Sequence, residues 1–351
     1  MNLRRHALII GLLPMLLTHS VWASPPSTPS PQHPQTTAGS LTIQAVQGTP
    51  DGPAIANTDI EISLHTKNAV IQTINTQLDE HGGVSLYDIP IDTEVRPVIR
   101  IEYAGVTYQE VGEIMSPANP QQSVNVTCYQ VTNDTPLWSM PMRQVMLSHS
   151  PQGIKVTEIL MVMNPDERTW LGTESAPNQP TTMSLRLPQG AEQIQLGTGF
   201  HDWCCTSVQA NTLINHLPMM PGTTEMNFSY IINTQDGTME LDFVAPAAVE
   251  QMAVMLPNDI HTHRSEGLTL GGTRKIADTI VRFYTAPNLA NGDAAHLSLS
   301  GLNQTRVVAD HTTRRTPVTI SPEMLTMIVG GGIVLLAGGV MAYQFKRKSS
   351  G

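Results

Sequence analysis

Three cysteines and a nearby histidine are the residues in this sequence best suited to chemistry. Cys204 and Cys205 are adjacent in the stretch GFHDWCCTSV, just after His201, and Cys128 lies far upstream. A thiolate is a nucleophile and a soft metal ligand, and a neighbouring imidazolium lowers the pKa of a thiol. The stretch is therefore a candidate for disulfide chemistry or for metal binding.

The odd number of cysteines leaves their pairing open. In one arrangement Cys128 pairs with Cys204 or Cys205 and ties the two halves of the chain together. In another, Cys204 and Cys205 pair with each other and Cys128 stays buried. Both arrangements are structural, whereas in a third a free thiolate beside His201 binds metal or exchanges disulfides. A Cys-x-x-Cys spacing, which is the stronger indication of that chemistry, does not occur.

Methionine and histidine add to a candidate copper site. The chain has 18 methionines against 5 phenylalanines and 4 tryptophans, an unusual balance. Thioether, thiolate and imidazole groups are soft enough to hold Cu(I), which makes copper the candidate cofactor. The predicted metal ligands are His201, Cys204, Cys205, His261 and His263. Further donors are Met140, Met142, Met161, Met163, His216, Met219 and Met220.

The alternative is that the methionines fill space and that there is no cofactor. Met140 and Met142 are two residues apart, as are Met161 and Met163, and this spacing places each pair on one face of a strand. Methionine on one face of a strand is typical of an adaptable core or interface. The sequence favours this alternative over the copper site.

Signatures of common enzymes are missing from the sequence. There is no Gly-x-Ser-x-Gly elbow, no phosphate loop, no Gly-x-Gly-x-x-Gly and no His-Glu-x-x-His. Asp202 beside His201, and Glu266 near His263, lack a third partner at a recognisable spacing, so polar turns explain them. A protein without catalytic residues is predicted.

Short strand-like runs fill most of the chain. In DIEISLH, for example, Ile60, Ile62 and Leu64 alternate with polar residues, which is the period of a half-buried strand. Gly, Pro, Asn and Asp separate these runs, and no amphipathic helical stretch is comparably strong. The prediction is an all-β fold with two β-sandwich domains, at residues 39–131 and 142–302.

Two stretches in the first domain have a family likeness. GPAIANTDIEISL and TQLDEHGGVSLYDIP place apolar residues around a tight turn between Asp79 and Gly83. In these motifs the domain resembles the carboxypeptidase regulatory-like, or transthyretin-like, β-sandwich modules of secreted proteins. The resemblance implies a fold and no chemistry, because such modules are mostly spacers or interaction platforms.

The second domain has a less specific likeness. VTEILMVMNPDERTWLG, LRLPQGAEQIQLG and HLPMMPGTTEMNFSYII are similar to a membrane-tethered bacterial ectodomain that can follow a regulatory-like module. This resemblance brings no reaction with it. It implies an immunoglobulin-like or related β-sandwich.

The two ends of the chain indicate export and membrane anchoring. Residues 1–23 have a basic start, an apolar run and small residues before a cleavage point, as a secretory signal peptide does. Residues 323–345 contain a charge-free run long enough to cross a hydrocarbon core of about 30 Å. Cations follow in the tail at residues 346–351, and they favour the cytoplasmic side. We therefore predict a single-pass protein of a bacterial cytoplasmic membrane, its bulk periplasmic or extracellular and its C-terminus cytoplasmic.

Two polar segments connect these parts. Residues 24–38 are rich in Pro and Ser and predict an extended linker, and residues 303–322 predict a stalk above the membrane.

The predicted membrane helix and the net charge of the chain indicate which kinds of partner the protein can bind. Gly331, Gly338 and Ala342 give the helix a face flat enough for close packing against another helix. The formal net charge of −10 repels nucleic acid. The predicted partners are therefore a membrane protein and the lipid bilayer, and not nucleic acid.

These features favour a non-enzymatic interaction or assembly subunit at the outer face of the membrane. One alternative is a periplasmic copper-handling factor that serves the maturation of exported redox proteins. The other is a participant in thiol–disulfide exchange that uses Cys204 and Cys205.

Overall fold

The structure, a computed structural model, describes residues 38–302 except 177–178, 235–236 and 277–278. Every regular element in this part of the chain is a β-strand, and the strands form several sheets. The predicted all-β fold is thereby confirmed. The reason is the period-two alternation, which buries one face of a strand and leaves the other in water.

Most of the predicted membrane topology lies outside the described residues. The signal peptide, the stalk, the membrane helix with Gly331, Gly338 and Ala342, the cytoplasmic tail and nearly all of the linker belong to these parts of the chain. Where the structure does describe the chain, it contains no helix of the length and apolarity that a membrane span requires.

Two sheets form the N-terminal region. A three-stranded sheet has the order β4-β1-β7, and a four-stranded sheet has the order β3-β2-β5-β6. The two sheets enclose one apolar core. The strands are β1 (Ala38–Gln47), β2 (Asp59–His65), β3 (Val70–Gln77), β4 (Gly83–Pro90), β5 (Arg96–Tyr103), β6 (Val106–Val111) and β7 (Gln121–Cys128).

Local sequence explains this region well. Ile60, Ile62 and Leu64 of β2 are buried between the sheets. The turn before β4 is closed by Asp79, whose Oδ1 accepts hydrogen bonds from the backbone N–H groups of His81 and Gly83, both at 2.8 Å. These bonds, the one from Gly83 first, lower the pKa of Asp79.

The C-terminal region is larger. Its seven-stranded sheet has the order β15-β18-β10-β9-β20-β23-β22, and two three-stranded sheets, β14-β17-β16 and β19-β24-β21, share one core with it. The strands are β8 (Val131–Thr132), β9 (Ser139–Ser150), β10 (Gly153–Asn164), β11 (Thr169–Trp170), β12 (Thr173–Ala176), β13 (Gln179–Thr181), β14 (Met183–Arg186), β15 (Ala191–Leu196), β16 (Thr206–Gln209), β17 (Thr212–Asn215), β18 (Gly222–Ile232), β19 (Thr238–Val244), β20 (Ala248–Pro257), β21 (His261–Glu266), β22 (Thr269–Ile276), β23 (Thr279–Leu289) and β24 (Ala294–Ser300).

An ion pair lies inside this second core. Arg143 on β9 and Glu158 on β10 are both fully buried, and the Nε of Arg143 donates to Oε2 of Glu158 at 2.9 Å. The Nη1 of Arg143 donates to the carbonyl of Val244 on β19 at 2.7 Å, so the pair connects the two layers. The Tyr230 hydroxyl donates to Oε1 of Glu158 at 2.9 Å, and burial, followed by the nearby carboxylate, raises the pKa of Tyr230 well above its ordinary value.

A hydrogen-bonded joint holds the two regions together. The Tyr108 hydroxyl of β6 donates to the carbonyl of Tyr129 at 2.9 Å and lies 2.8 Å from the hydroxyl of Thr169 in β11. Thr49 donates its hydroxyl to the carbonyl of Glu167 at 2.7 Å. The strands β8 and β11 pair in parallel at the same place. As a result, the described residues form one compact unit with two cores.

Candidate functional site

The candidate site is built on a short loop, residues 201–205, between β15 and β16. In the structure Cys204 and Cys205 are joined to each other by a disulfide bond. Cys128 is a free thiol buried in the core of the N-terminal region. Burial raises the pKa of Cys128 to about 12, so this thiol stays protonated and unreactive at neutral pH. Of the pairings considered from the sequence, the structure therefore contains the adjacent one.

Backbone hydrogen bonds hold both ends of the loop. The N–H of Cys205 donates to the carbonyl of His201 at 3.0 Å, and the N–H of His216 donates to the carbonyl of Cys205 at 2.8 Å. The N–H of His201 donates to the hydroxyl of Thr206 at 3.1 Å. That hydroxyl donates in turn to Oδ1 of Asn215 at 3.1 Å, within the core. The loop is thus fixed without using its sulfur atoms.

Trp203 stands out of this loop into solvent. Its side chain is 82% exposed, and its ring stacks on the His201 ring with centroids 5.9 Å apart and an interplanar angle of 15°. A tryptophan that exposed leaves a large apolar surface in water, which is a feature of binding sites. Trp203 is not among the site residues predicted from the sequence. The sequence does contain a hint, because Trp203 is one of only four tryptophans and lies between a charged residue and two cysteines.

The loop borders a groove of about 1020 Å³ between the two regions. On the N-terminal side the groove is lined by polar and charged residues of β5 and β6. There Arg100 donates to Oε1 of Glu61 at 2.7 Å and to Oε1 of Gln109 at 3.0 Å. On the C-terminal side it is lined by Trp203, the disulfide and several methionines, among them Met219. The N-terminal wall is therefore charged, whereas the C-terminal wall is mostly apolar and includes a few polar residues such as Thr224.

Asn164 positions the methionine side of the groove. Asn164 is almost fully buried at the end of β10, and its amide donates to the carbonyls of Arg168 at 3.1 Å and Met219 at 3.0 Å. Trp170 and Met219 also exchange two backbone hydrogen bonds, at 3.0 and 2.9 Å. The backbone of Met219 is therefore fixed against β11, next to the joint between the regions.

The five predicted metal ligands are not brought together. His201 Nδ1 lies 3.9 Å from Cys204 Sγ, but both sulfurs of the loop are used in the disulfide. His261 and His263 lie on β21, which pairs with β24 in another sheet. Within the part of the chain that the structure describes, no group of three or more His, Cys, Asp and Glu residues is placed to hold a metal ion. As folded here, the chain lacks the assembled site that the sequence suggested.

The methionine pairs behave differently from each other. Met161 and Met163 are both half-buried along β10, as their spacing predicts. Met140, however, is fully buried in the core while Met142 is only half-buried. The prediction that this pair shares a face was wrong, because the β9–β10 register shifts between Met142 and Ser139 and turns Met140 inward.

Comparisons with known proteins add little to this description. No family model matches the chain, and no curated protein matches it either. Among solved structures, that of S.CueP has a TM-score of 0.20 and 13% identity and covers 25% of this chain and 59% of its own. The full-length RrgB pilus protein from Streptococcus pneumoniae has a TM-score of 0.21 and 7% identity, covering 76% of this chain and 62% of its own.

The structural similarity to both proteins is low. TM-scores near 0.2 support no statement about the fold or function of this chain. The resemblance of residues 39–131 to carboxypeptidase regulatory-like modules stays a prediction.

Proposed function

We propose that this chain is an exported, membrane-tethered protein that acts without catalysis, by binding a partner protein in the groove between its two β regions. The observation that carries the proposal is Trp203, which is 82% exposed at the edge of that groove. Tryptophan is enriched among the residues that dominate binding energy at protein interfaces. A partner that covers its ring removes apolar surface from water at one defined point.

The rigidity of the groove supports this proposal. Its two walls come from different regions, and the joint around Tyr108 and Thr169 fixes their separation through buried hydrogen bonds. The Trp203 loop is held at both ends by backbone hydrogen bonds, and its two cysteines are joined to each other. A preformed surface loses little conformational entropy on binding, so more of the contact energy appears as affinity.

The charge of the walls indicates the chemistry of the partner. Glu61 and Arg100 form an exposed ion pair at 2.7 Å on the N-terminal wall, opposite the apolar wall of Trp203 and Met219. A fitting partner segment has an apolar side chain on one face and polar groups on the other. An extended or hairpin segment of an exported protein, with side chains alternating across its faces, meets this requirement.

The predicted anchor supports the choice of a partner in or at the same membrane. In this proposal the charge-free run followed by cations tethers the protein to the bilayer. Tethering raises the effective concentration of two proteins in one membrane, so a modest affinity in the groove suffices. In this proposal Gly331, Gly338 and Ala342 of the predicted membrane helix give a membrane helix of the same partner a second place to pack.

Site-specific photo-cross-linking tests the proposal. A photoreactive tryptophan analogue, which keeps the aromatic ring, replaces Trp203 in the full-length chain, and it replaces Leu137 as a control, because Leu137 is 91% exposed and lies outside the groove. We expect one partner to cross-link in intact membranes from position 203 and not from position 137. Equal labelling from both positions, or the same recovery of that partner with Trp203→Ala, would contradict the proposal.

A further inference from the structure

One imidazole lies beside the disulfide of the 201–205 loop, and a second histidine is bonded to the backbone of the same loop. His201 Nδ1 is 3.9 Å from Cys204 Sγ. His216 follows β17 directly, and its N–H donates to the carbonyl of Cys205 at 2.8 Å. In the register of β16 and β17, Thr206 pairs with Asn215. The hydrogen bond from His216 to Cys205 extends this pairing by one residue and places His216 opposite Cys205. Opposite residues of an antiparallel pair have Cβ atoms about 4.5–5.5 Å apart on the same face.

A hydrogen bond at one nitrogen of the His216 ring fixes its tautomer. Its Nδ1 lies 2.7 Å from the carbonyl oxygen of Pro180, and only a protonated nitrogen can make that hydrogen bond. In the neutral ring the lone pair is therefore on Nε2. A backbone carbonyl that fixes the tautomer through the other ring nitrogen is the usual outer contact of a metal-binding histidine.

We propose that reduction of the Cys204–Cys205 disulfide creates a Cu(I) site with two thiolates, His201 and His216 as ligands. A dithiol reductant supplies two electrons and two protons; the S–S bond breaks, two thiols form, and the reductant becomes a disulfide. One Cu(I) ion then displaces the two thiol protons and forms two Cu–S bonds. In the oxidised form the sulfurs hold each other, which agrees with the absence of any metal-binding group among the described residues. This inference does not depend on the partner proposed above.

The disulfide can be reduced without breaking the hydrogen bonds that hold the loop. Cys204 is exposed, so a thiolate from a reductant can reach its sulfur. The hydrogen bonds from Cys205 to His201 and from His201 to Thr206 involve backbone atoms and a hydroxyl, and none of them requires the disulfide. The ligands therefore stay close together after reduction.

Nearby methionines favour Cu(I) over Zn²⁺. Two cysteines and two histidines are also a common zinc set. Met219 and Met220, however, line the same groove as the two cysteines and His201. Thioether sulfur is a ligand for Cu(I) and a poor one for Zn²⁺, so this surrounding selects the softer ion.

Thiol counting and metal competition test the inference on the full-length chain. One sample is treated with dithiothreitol, which is then removed under anaerobic conditions, and the other is left oxidised. A thiol reagent should find no reactive thiol in the folded oxidised chain and two in the reduced chain, since Cys128 is buried. In competition with a chromogenic Cu(I) chelator, the reduced chain should bind one Cu(I) at least about 100-fold more tightly than the oxidised chain.

Variants assign the ligands. Cys205→Ser should abolish tight Cu(I) binding, and His216→Gln should weaken it by at least about tenfold. Cys128→Ser is the matched control and should bind as the unaltered chain does. If Cys205→Ser lowers the thermal midpoint, the same test is made by alkylating the thiols of the reduced, folded chain. Alkylation should abolish tight Cu(I) binding, as the substitution should.

Four results would overturn the inference. They are equal Cu(I) affinity in the oxidised and reduced chains, tighter binding of Zn²⁺ than of Cu(I) after reduction, full binding by the alkylated chain, and full binding by His216→Gln.

Discussion

The two β regions differ in what they bury. In the N-terminal region the core between the two sheets is apolar, from Leu41 on β1 to Cys128 at the end of β7. In the C-terminal region the core contains Arg143 and Glu158, the fully buried charged side chains among the described residues. The first core is therefore held by packing alone, whereas the second also depends on two charges that must stay paired.

The buried ion pair of the C-terminal region contributes more to structural specificity than to stability. A buried ion pair adds little net stability, because desolvation of both charges offsets their attraction. Its geometry, however, is exacting: Arg143 must meet Glu158 on the neighbouring strand and the carbonyl of Val244 on the opposite layer. We infer that the pair selects the strand register and layer alignment of the C-terminal region. The N-terminal region obtains its register from turns such as the one closed by Asp79.

The largest expected effect comes from breaking the buried pair on one side. Glu158→Leu leaves the Arg143 guanidinium buried without its carboxylate and should destabilise the C-terminal region by about 3–5 kcal/mol. The double variant Arg143→Met, Glu158→Leu removes both charges but leaves the buried Tyr230 hydroxyl without its acceptor, so it should be destabilised by only about 1–3 kcal/mol. Urea unfolding of both variants measures the difference, and equal destabilisation by the single and double variants would contradict the account.

A cavity in the core of the N-terminal region should lower the free energy of unfolding by less, and its effect should be confined to that region. Leu64 is fully buried on β2, and Leu64→Ala should lower the free energy of unfolding by about 3 kcal/mol through lost contacts and the cavity left behind. Hydrogen exchange should speed up in β2 and β5 and remain unchanged in β9 and β10. Faster exchange throughout both regions would show that the two cores are not separate.

Loosening the joint should have a smaller effect. Tyr108→Phe removes the hydroxyl that contacts Tyr129 and Thr169, and we expect the free energy of unfolding to fall by about 2 kcal/mol, typical of two hydrogen bonds. Tyr87→Phe is the control, because Tyr87 is 74% exposed. Thermal midpoints of the two variants check the prediction, which fails if they shift equally.

The smallest effect concerns pH. The Nδ1 of His296 donates to Asp242 Oδ1 at 2.7 Å, and chiefly this hydrogen bond raises the pKa of His296 above 6.5. The protonated ring also lies 2.8 Å from Glu240, and Glu266 lies opposite on β21. A raised pKa means that the stabilisation is fully present below pH 6.5 and is lost as pH rises through the pKa of the folded state.

His296→Gln removes this dependence. The thermal midpoint of the variant should fall below that of the unaltered chain at pH 5.5, and the gap should narrow by pH 9. A gap that stays constant across this range would show that the histidine acts by packing and not by its charge.

The sequence predicted the fold class because strand alternation is a local signal. The inward residues of β2 and the Asp79 turn could be identified from neighbouring residues alone. The register of β9 could not, and so Met140 and Met142 were wrongly predicted to share a face. A one-residue shift reverses every side chain after it and leaves no mark in the spacing of the residues themselves.

The candidate site was only partly predictable for a related reason. Adjacent cysteines next to a histidine are visible in the sequence, and the structure places them in one loop. The contribution of His216 depends on the pairing of β16 with β17, and the groove depends on contacts between two regions. Such long-range contacts are set by packing, so the sequence placed His261 and His263 in a site that the fold does not build.

The most direct test of the account uses both walls of the groove. Photoreactive residues are placed one at a time at Thr107 on the N-terminal wall and at Trp203 on the C-terminal wall, with exposed Tyr87 and Leu137 as controls. The account predicts that both wall positions cross-link the same partner in intact membranes and that neither control does. Different partners from the two walls, or labelling as strong from the controls, would contradict it.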